Sequence, residues 1–273
     1  MKILFSKPCF TDWMPKLNKI CEKYKNIYYV KDFLNKENIN LLVEKYKIKL
    51  IIPLNIPDAH LLAQFEENEI NCKILSPKNS ELVKILDDKG YFFDVCRKRN
   101  NLIRYLPEVF INNNHYENHV ITDIIYPAII KPHLGIGGGG IYILHSDDCL
   151  QKYKKILRNK YIVQEYIIGD TEYTANIVAI KGIITYCLTY KETFDDVFYI
   201  KKGMMNKFEI VENNFYEDFQ EITRTLLYTG IICINYKVVN SKLKIFEINP
   251  RIGGTILFNN FENLLDSIDI TLI

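Results

Sequence analysis

Residues 126–141 read Tyr-Pro-Ala-Ile-Ile-Lys-Pro-His-Leu-Gly-Ile-Gly-Gly-Gly-Gly-Ile, and the order apolar run, lysine, glycine loop, apolar run decides the fold. Gly135, Gly137 and Gly140 satisfy the spacing G-x-G-x-x-G. A dinucleotide-binding turn of that spacing must open into a helix whose N-terminal amides hold the pyrophosphate. Here Gly140 is followed by Ile-Tyr-Ile-Leu, a strand pattern, so the segment is a hairpin and not a Rossmann turn. Glycines at a hairpin tip leave the amides unscreened and reach positive φ freely, which suits a lid over a polyphosphate. Lys131 closes the first strand, placed to meet that phosphate. Taken alone, the segment is also compatible with a plain flexible turn.

Upstream, short apolar runs alternate with helical patterns: KILF, a helix near Pro15–Tyr24, YYV, a helix near Lys36–Tyr46, then KLIIPL at 49–54. That alternation predicts βαβαβ with a parallel sheet, and no glycine-rich turn follows its first strand. The texture changes near Asp87. A helical stretch at 88–98 and a polar connection from Asn112 to Asn118 precede strand-like runs at 127–131, 141–145, 161–167, 173–180, 183–190, 231–238 and 243–248. These predict an α+β half built on antiparallel strands. Ser146-Asp147-Asp148 opens a helix through Leu157. A second helix near 215–228 is expected to end at Gly230 as its C-cap. The asparagine run 112–114 reads as loop.

The chain has 273 residues, enough for one large or two modest domains, and 35 Lys+Arg against 33 Asp+Glu give a net charge of only +2. No overall field points to nucleic acid or a membrane surface. The seven cysteines are scattered and form no CxxC pair, which argues against a disulfide framework or a zinc ribbon and for a reducing cytoplasm. No signal-peptide run or membrane-length apolar stretch is expected.

The segment 126–141 as a whole resembles the first signature of the ATP-grasp superfamily, which includes carboxylate-amine ligases and carbamoyl-phosphate synthases. Three further stretches resemble the family's elements in the expected order. Val163-Gln164-Glu165-Tyr166-Ile167 through Glu172-Tyr173 is similar to its hinge strand. There the backbone beside Glu165 and Ile167 would meet adenine, and Glu172 would bind the ribose hydroxyls. Phe246-Glu247-Ile248-Asn249-Pro250-Arg251 resembles the E-x-N-P-R element. With period two, Glu247 and Asn249 share one face of a strand, where their oxygens suit Mg²⁺, while Pro250 ends the ladder and turns Arg251 toward the transferred phosphoryl group. Asp88-Lys89 resembles the D-K element that supplies the first phosphate-binding lysine. Asn235 stands where the family commonly keeps another metal ligand, usually acidic or glutamine, and an amide there adds no charge.

The resemblance implies an α/β, Rossmann-like pre-ATP-grasp domain over 1–86 followed by an α+β ATP-grasp domain over 87–273, with a glycine-loop lid subdomain over 122–165. It implies ATP as co-substrate with one or two Mg²⁺ ions on Glu247, Asn249 and Asn235. Lys89, Lys131, Gly137, Gly138, Gly139, Gln164, Glu165, Tyr166, Ile167 and Glu172 would bind the nucleotide, and Arg251 and Lys202 would serve catalysis. The implied reaction is an ADP-forming ligation between a small carboxylate and an amine. Alternatives are phosphorylation of a small acid as in carbamoyl-phosphate synthases, or a non-catalytic ATP-binding module. The family is often dimeric, so a homodimer is one assembly the resemblance suggests. Lys191 lies in the same strand region as Lys202, with a surface position as its default. His133 reads as a lid residue in solvent. His115, Glu117 and His119 lack the adjacency that zinc-peptidase motifs require and read as loop.

Overall fold

A computed structural model describes residues 1–66, 69–113, 118–120, 122–135, 137–157, 160–201, 208–268 and 273. The N-terminal part forms strands β1 (Ile3–Phe5), β2 (Ile27–Tyr29), β3 (Leu50–Ile52) and β4 (Lys73–Ile74) in a parallel sheet of order β2-β1-β3-β4. Helices α1 (Met14–Lys23), α2 (Lys36–Tyr46), α3 (Ile56–Leu62) and α4 (Ser80–Asp87) connect and follow the strands. Asn35, Asn55 and Asn79 cap α2, α3 and α4 through their side-chain oxygens, so these asparagines define helix starts. Strand alternation splits the apolar residues between the two faces. Leu4 and Ile51 pack on Ile39, Val43 and Leu62. Ile3, Phe5, Leu50 and Ile52 join Trp13, Leu17 and Ile20 in a core shared with Ile256, Leu257, Phe261 and Leu264 near the other end of the chain.

Asp88 caps helix α5 (Lys89–Arg97) by accepting a hydrogen bond from the Tyr91 amide, and the short α6 (Asn100–Ile103) follows. Strands β5 (Val109–Asn113), β6 (Asn118–Val120), β7 (Ala128–Pro132), β8 (Tyr142–Leu144) and β9 (Tyr161–Glu165) form an antiparallel sheet of order β6-β5-β9-β7-β8. The glycine segment joins β7 to β8 as a hairpin, with Ile130 opposite Tyr142. Helix α7 (Asp147–Leu157) lies against this sheet and places Leu150 beside Phe110, Ile130 and Val163. The sheet reaches back to Val109, upstream of residue 122.

Strands β10 (Thr171–Ile180), β11 (Ile183–Thr193), β12 (Phe208–Val211), β13 (Gly230–Val239) and β14 (Lys242–Asn249) form the second antiparallel sheet, of order β12-β11-β10-β13-β14. Helix α8 (Tyr216–Thr225) covers one face with Phe219 and Ile222 against Ala175, Ile177, Ile232 and Ile234. Helices α9 (Gly254–Asn259) and α10 (Phe261–Asp266) complete the face shared with the N-terminal sheet.

Three local expectations are corrected. Asn112 is not in a loop: it is a fully buried β5 residue whose amide donates to Gly90 O at 3.1 Å and Asp94 Oδ1 at 3.0 Å, so its polarity serves an internal bond. Helix α8 ends before Gly230. Leu227 supplies the left-handed residue at φ 47°, Tyr228 N–H donates to Thr223 O, and Gly230 opens β13 where a side chain would press on Ser76. His133 is buried, with Nδ1 3.3 Å from Asp88 Oδ1 and Nε2 3.1 Å from Tyr161 O. Asn114, His115, Glu117 and Lys202 lie outside the described residues, as does the side chain of His119.

Candidate active site

The two antiparallel sheets face each other across a cavity of about 260 Å³. Its lining draws Lys89 from the start of α5, Lys131 from β7, Gly137–Gly139 from the hairpin and Gln164–Ile167 from β9 and its extension. Glu172 from β10, Asn235 from β13, and Glu247, Asn249 and Arg251 from the end of β14 and just beyond it join them. Apart from Lys202, every residue expected to bind nucleotide or metal or to act in catalysis therefore lines one space.

Register explains how the strand side chains meet at the Glu247 end of the cavity. Asn235 pairs with Glu247 and Cys233 with Asn249, so these side chains share the cavity face. Between Glu247 and Ile245 the pairing slips, leaving Phe246 as the extra residue of a β-bulge. The Phe246 carbonyl accepts a hydrogen bond from Lys131 Nζ at 2.8 Å. Lys89 Nζ lies 3.2 Å from Glu247 Oε1 and donates to Gly135 O at 3.3 Å, tying helix α5 to the hairpin base. Gly90 permits this approach, because a Cβ there would stand 2.2 Å from His133 Cε1 and 2.6 Å from Asn112 Oδ1.

Burial and charge act against each other on these groups. Burial lowers Lys131 to about 7, helped by the like charge of Lys89 and opposed by Glu247. Burial alone would raise Glu247, but Lys89, Lys131 and Arg251 hold it down at about 2, so it is a carboxylate at neutral pH. Glu172 is raised to about 7 by burial; Lys201 pulls it down and Glu192 pushes it up.

Asn235 Nδ2 donates to Glu247 Oε2 at 2.9 Å while its Oδ1 accepts from Thr174 at 3.0 Å, so the amide nitrogen faces the carboxylate. Asn249 Oδ1 accepts from Arg251 Nη2 at 3.2 Å. Arg251 Nη1 donates to Ile252 O at 2.8 Å, its Nε has no partner among the described residues, and its guanidinium stands 5.8 Å from the Trp13 ring. Glu247 and Asn249 offer hard oxygens. Among the described residues no group of three His, Cys, Asp or Glu gathers, so the set suits a cation completed by phosphate and water oxygens rather than a closed transition-metal site.

The hairpin is folded down. Gly137 and Gly138 adopt φ of 65° and 77°, and a Cβ on Gly138 would lie 2.2 Å from Lys201 O. Lys201 pairs with Glu192 and lies 3.7 Å from Glu172 Oε1, and Tyr199 donates to Glu172 Oε2 at 3.3 Å. Lys191 instead pairs with Glu209 at 2.6 Å, away from the cavity lining. Sequence reading missed Lys201, Tyr199, Lys237, Thr174, Phe10 and Trp13, all in the lining. The strand alternation that places Asn235 on the cavity face also points to Lys237, whereas no local signal brings Phe10 and Trp13 there.

Comparison with known proteins agrees with this geometry. A formate-dependent phosphoribosylglycinamide formyltransferase of Sulfurisphaera tokodaii is 25% identical over 230 residues, covering 75% of this chain and 56% of that protein. An N5-carboxyaminoimidazole ribonucleotide synthase of Saccharolobus solfataricus is 28% identical over 123 residues, 44% of this chain and 32% of that one. The chain thus spans little more than half the length of the first relative and less of the second. The crystal structure of D-alanine–D-alanine ligase from Bacillus anthracis complexed with ATP superposes with a TM-score of 0.63 at 16% identity, over 100% of this chain and 96% of that one, and so shares the fold. The family model described as ATP-grasp domain matches residues 96–255, more than half of the chain and every strand of the two antiparallel sheets. The chain belongs to the ATP-grasp family.

Proposed function

We propose that the chain is an ADP-forming, ATP-dependent ligase that activates a carboxylate as an acyl phosphate and couples it to an amine or similar nucleophile. The observation that carries this reading is the convergence of Lys89, Lys131, Glu247, Asn249 and Arg251 on one cavity, beneath a glycine hairpin and opposite Glu172 and the hinge. The names of the relatives, a formyltransferase and a synthase, support the same class of chemistry.

In this reading a substrate carboxylate oxygen attacks the γ-phosphorus while its bond to the β-phosphate oxygen breaks and ADP leaves. The nucleophile then attacks the acyl carbon, loses a proton and expels inorganic phosphate. Lys89 and Lys131 hold the phosphates, and Arg251 stabilises charge on the transferred group. Glu247 and Asn249 would hold Mg²⁺, which would supply positive charge to offset that of the phosphates. The hairpin excludes water, which would otherwise hydrolyse the acyl phosphate. Lys201, 3.7 Å from Glu172 Oε1, adds a further cation to the lining, while Lys202 lies outside the described residues.

Residues 1–86 form, in this proposal, the Rossmann-like pre-ATP-grasp domain and 87–273 the ATP-grasp domain. The seven cysteines are free, which suits a reducing cytoplasm, and no helix among the described residues is long and apolar enough to cross a membrane. Hydroxylamine trapping tests the acyl phosphate. Purified protein with Mg·ATP, hydroxylamine and pooled amino or sugar acids is expected to yield a hydroxamate from one pool. ADP release that needs bicarbonate and gives no hydroxamate would replace this reading with small-acid phosphorylation.

A further inference from the structure

The hinge end of the cavity holds a cation that the ligase reading leaves without a task. Lys237 lies two residues beyond Asn235 on β13, and both line the cavity. Its ammonium donates to Ile167 O and to Gly169 O, each at 2.8 Å. It also stands 4.4 Å from the centre of the Tyr199 ring and 5.4 Å from that of Tyr166. Only 7% of the residue is exposed. An apolar side chain would fill this space without desolvating a charge, so what the lysine adds is the tie to the two carbonyls.

The tied segment carries a donor with no partner among the described residues. Glu165 N–H donates to Glu108 O, Tyr166 N–H to Pro127 O and Gly169 N–H to Val197 O. Tyr166 Oη bridges Val197 O, Tyr199 O and Tyr199 N–H. Ile167 is buried and lines the cavity, yet its N–H donates to no partner among the described residues. A backbone N–H without a partner in a buried, cavity-lining residue calls for an acceptor, and the ring nitrogens of a purine supply one.

We propose that Lys237 is the positioning residue of the nucleobase end: by pinning the Ile167 and Gly169 carbonyls to β13 it holds the Ile167 N–H as the donor to a base ring nitrogen. This role rests on the nucleotide-site reading above. Its reach is local, because Lys89, Lys131 and Glu247 at the phosphate end make no bond to Lys237. Loss of the ammonium frees the hinge carbonyls and weakens recognition of the base, while phosphate binding persists. Arginine can still donate to two carbonyls, whereas methionine keeps the bulk and loses both bonds.

Calorimetric titration of the full chain with Mg·ATP and, separately, with Mg·tripolyphosphate tests this. The wild type is expected to bind both. Lys237→Met is expected to weaken Mg·ATP by about tenfold or more, the worth of one to two charge-assisted hydrogen bonds, with tripolyphosphate affinity unchanged. Lys237→Arg is expected to recover most of the ATP affinity. Unaltered ATP binding in Lys237→Met, or an equal loss for both ligands, would overturn the proposal, the second by showing a role in folding alone. A wild type that binds neither ligand would remove the nucleotide site itself and so mark a failure of the broader reading.

Discussion

At the scale of single residues, two buried groups of the site, Lys131 and Glu172, oppose the stability of the fold. Burial lowers Lys131 from 10.5 to about 7, so its contribution to stability is present above 10.5 and lost as pH falls through 7. Burial raises Glu172 from 4.5 to about 7, so its contribution is present below 4.5 and lost as pH rises through 7. Both costs are therefore largest together near neutrality. Lys131→Met is expected to flatten the alkaline side of a plot of melting temperature against pH, and Glu172→Gln the acid side. Each raises the melting temperature at pH 7 by a few degrees while impairing nucleotide binding, and unchanged profiles in both variants would refute the electrostatic account. Asn235 gives a second test. Asn235→Asp sets a second carboxylate beside Glu247, so Mg²⁺ is expected to raise the melting temperature of this variant more than that of the wild type, and an equal shift would place the cation elsewhere. That Lys131, Glu247, Asn249 and Arg251 would meet in one cavity was legible in the sequence through the short runs that resemble the family's elements. Lys201 was not, since one lysine among many is singled out only by Glu172 and Glu192, which reach it from β10 and β11.

Elements turn these residues into a site through departures from regularity. The bulge at Phe246 frees the carbonyl that holds Lys131, and Gly90 lets α5 settle on His133 and Asn112. Neither could be read from periodicity, because a bulge is a mismatch between two strands and the crowding at Gly90 comes from Asn112 on β5 and from His133 just after β7. The hairpin, by contrast, was legible: apolar runs flank a tip that only glycine allows. Gly138→Ala puts a methyl 2.2 Å from Lys201 O at a φ of 77°, so the hairpin cannot seat as it does here. ADP release is expected to fall by about a hundredfold, in line with a displacement of about 1 Å at a reacting group, with a melting temperature close to wild type. Wild-type turnover in this variant would show that the closed hairpin is not needed.

On the scale of the whole molecule, the cavity depends on contacts that join distant parts of the chain. The N-terminal sheet buries Ile3, Phe5, Leu50 and Ile52 against α9 and α10, and the same packing brings Trp13 beside Arg251. Parallel and antiparallel halves followed from the patterning, because fully apolar runs such as Leu50–Ile52 demand cover on both faces. Which helices provide that cover did not, since α9 and α10 follow β14, far along the chain from the strands they shield. Phe10, Asp12 and Trp13 likewise reach the cavity by tertiary packing and carry no motif. In the proposed ligase, Glu247, held ionised among Lys89, Lys131 and Arg251, organises phosphoryl transfer. The most direct measurement is Mg²⁺-dependent ADP release from the purified chain with pooled amino and sugar acids, beside Glu247→Gln. Stimulation by one pool, absent from the variant although it still melts cooperatively, is the predicted result; equal ADP release by Glu247→Gln, or Mg·ATP binding without turnover in any pool, would contradict it.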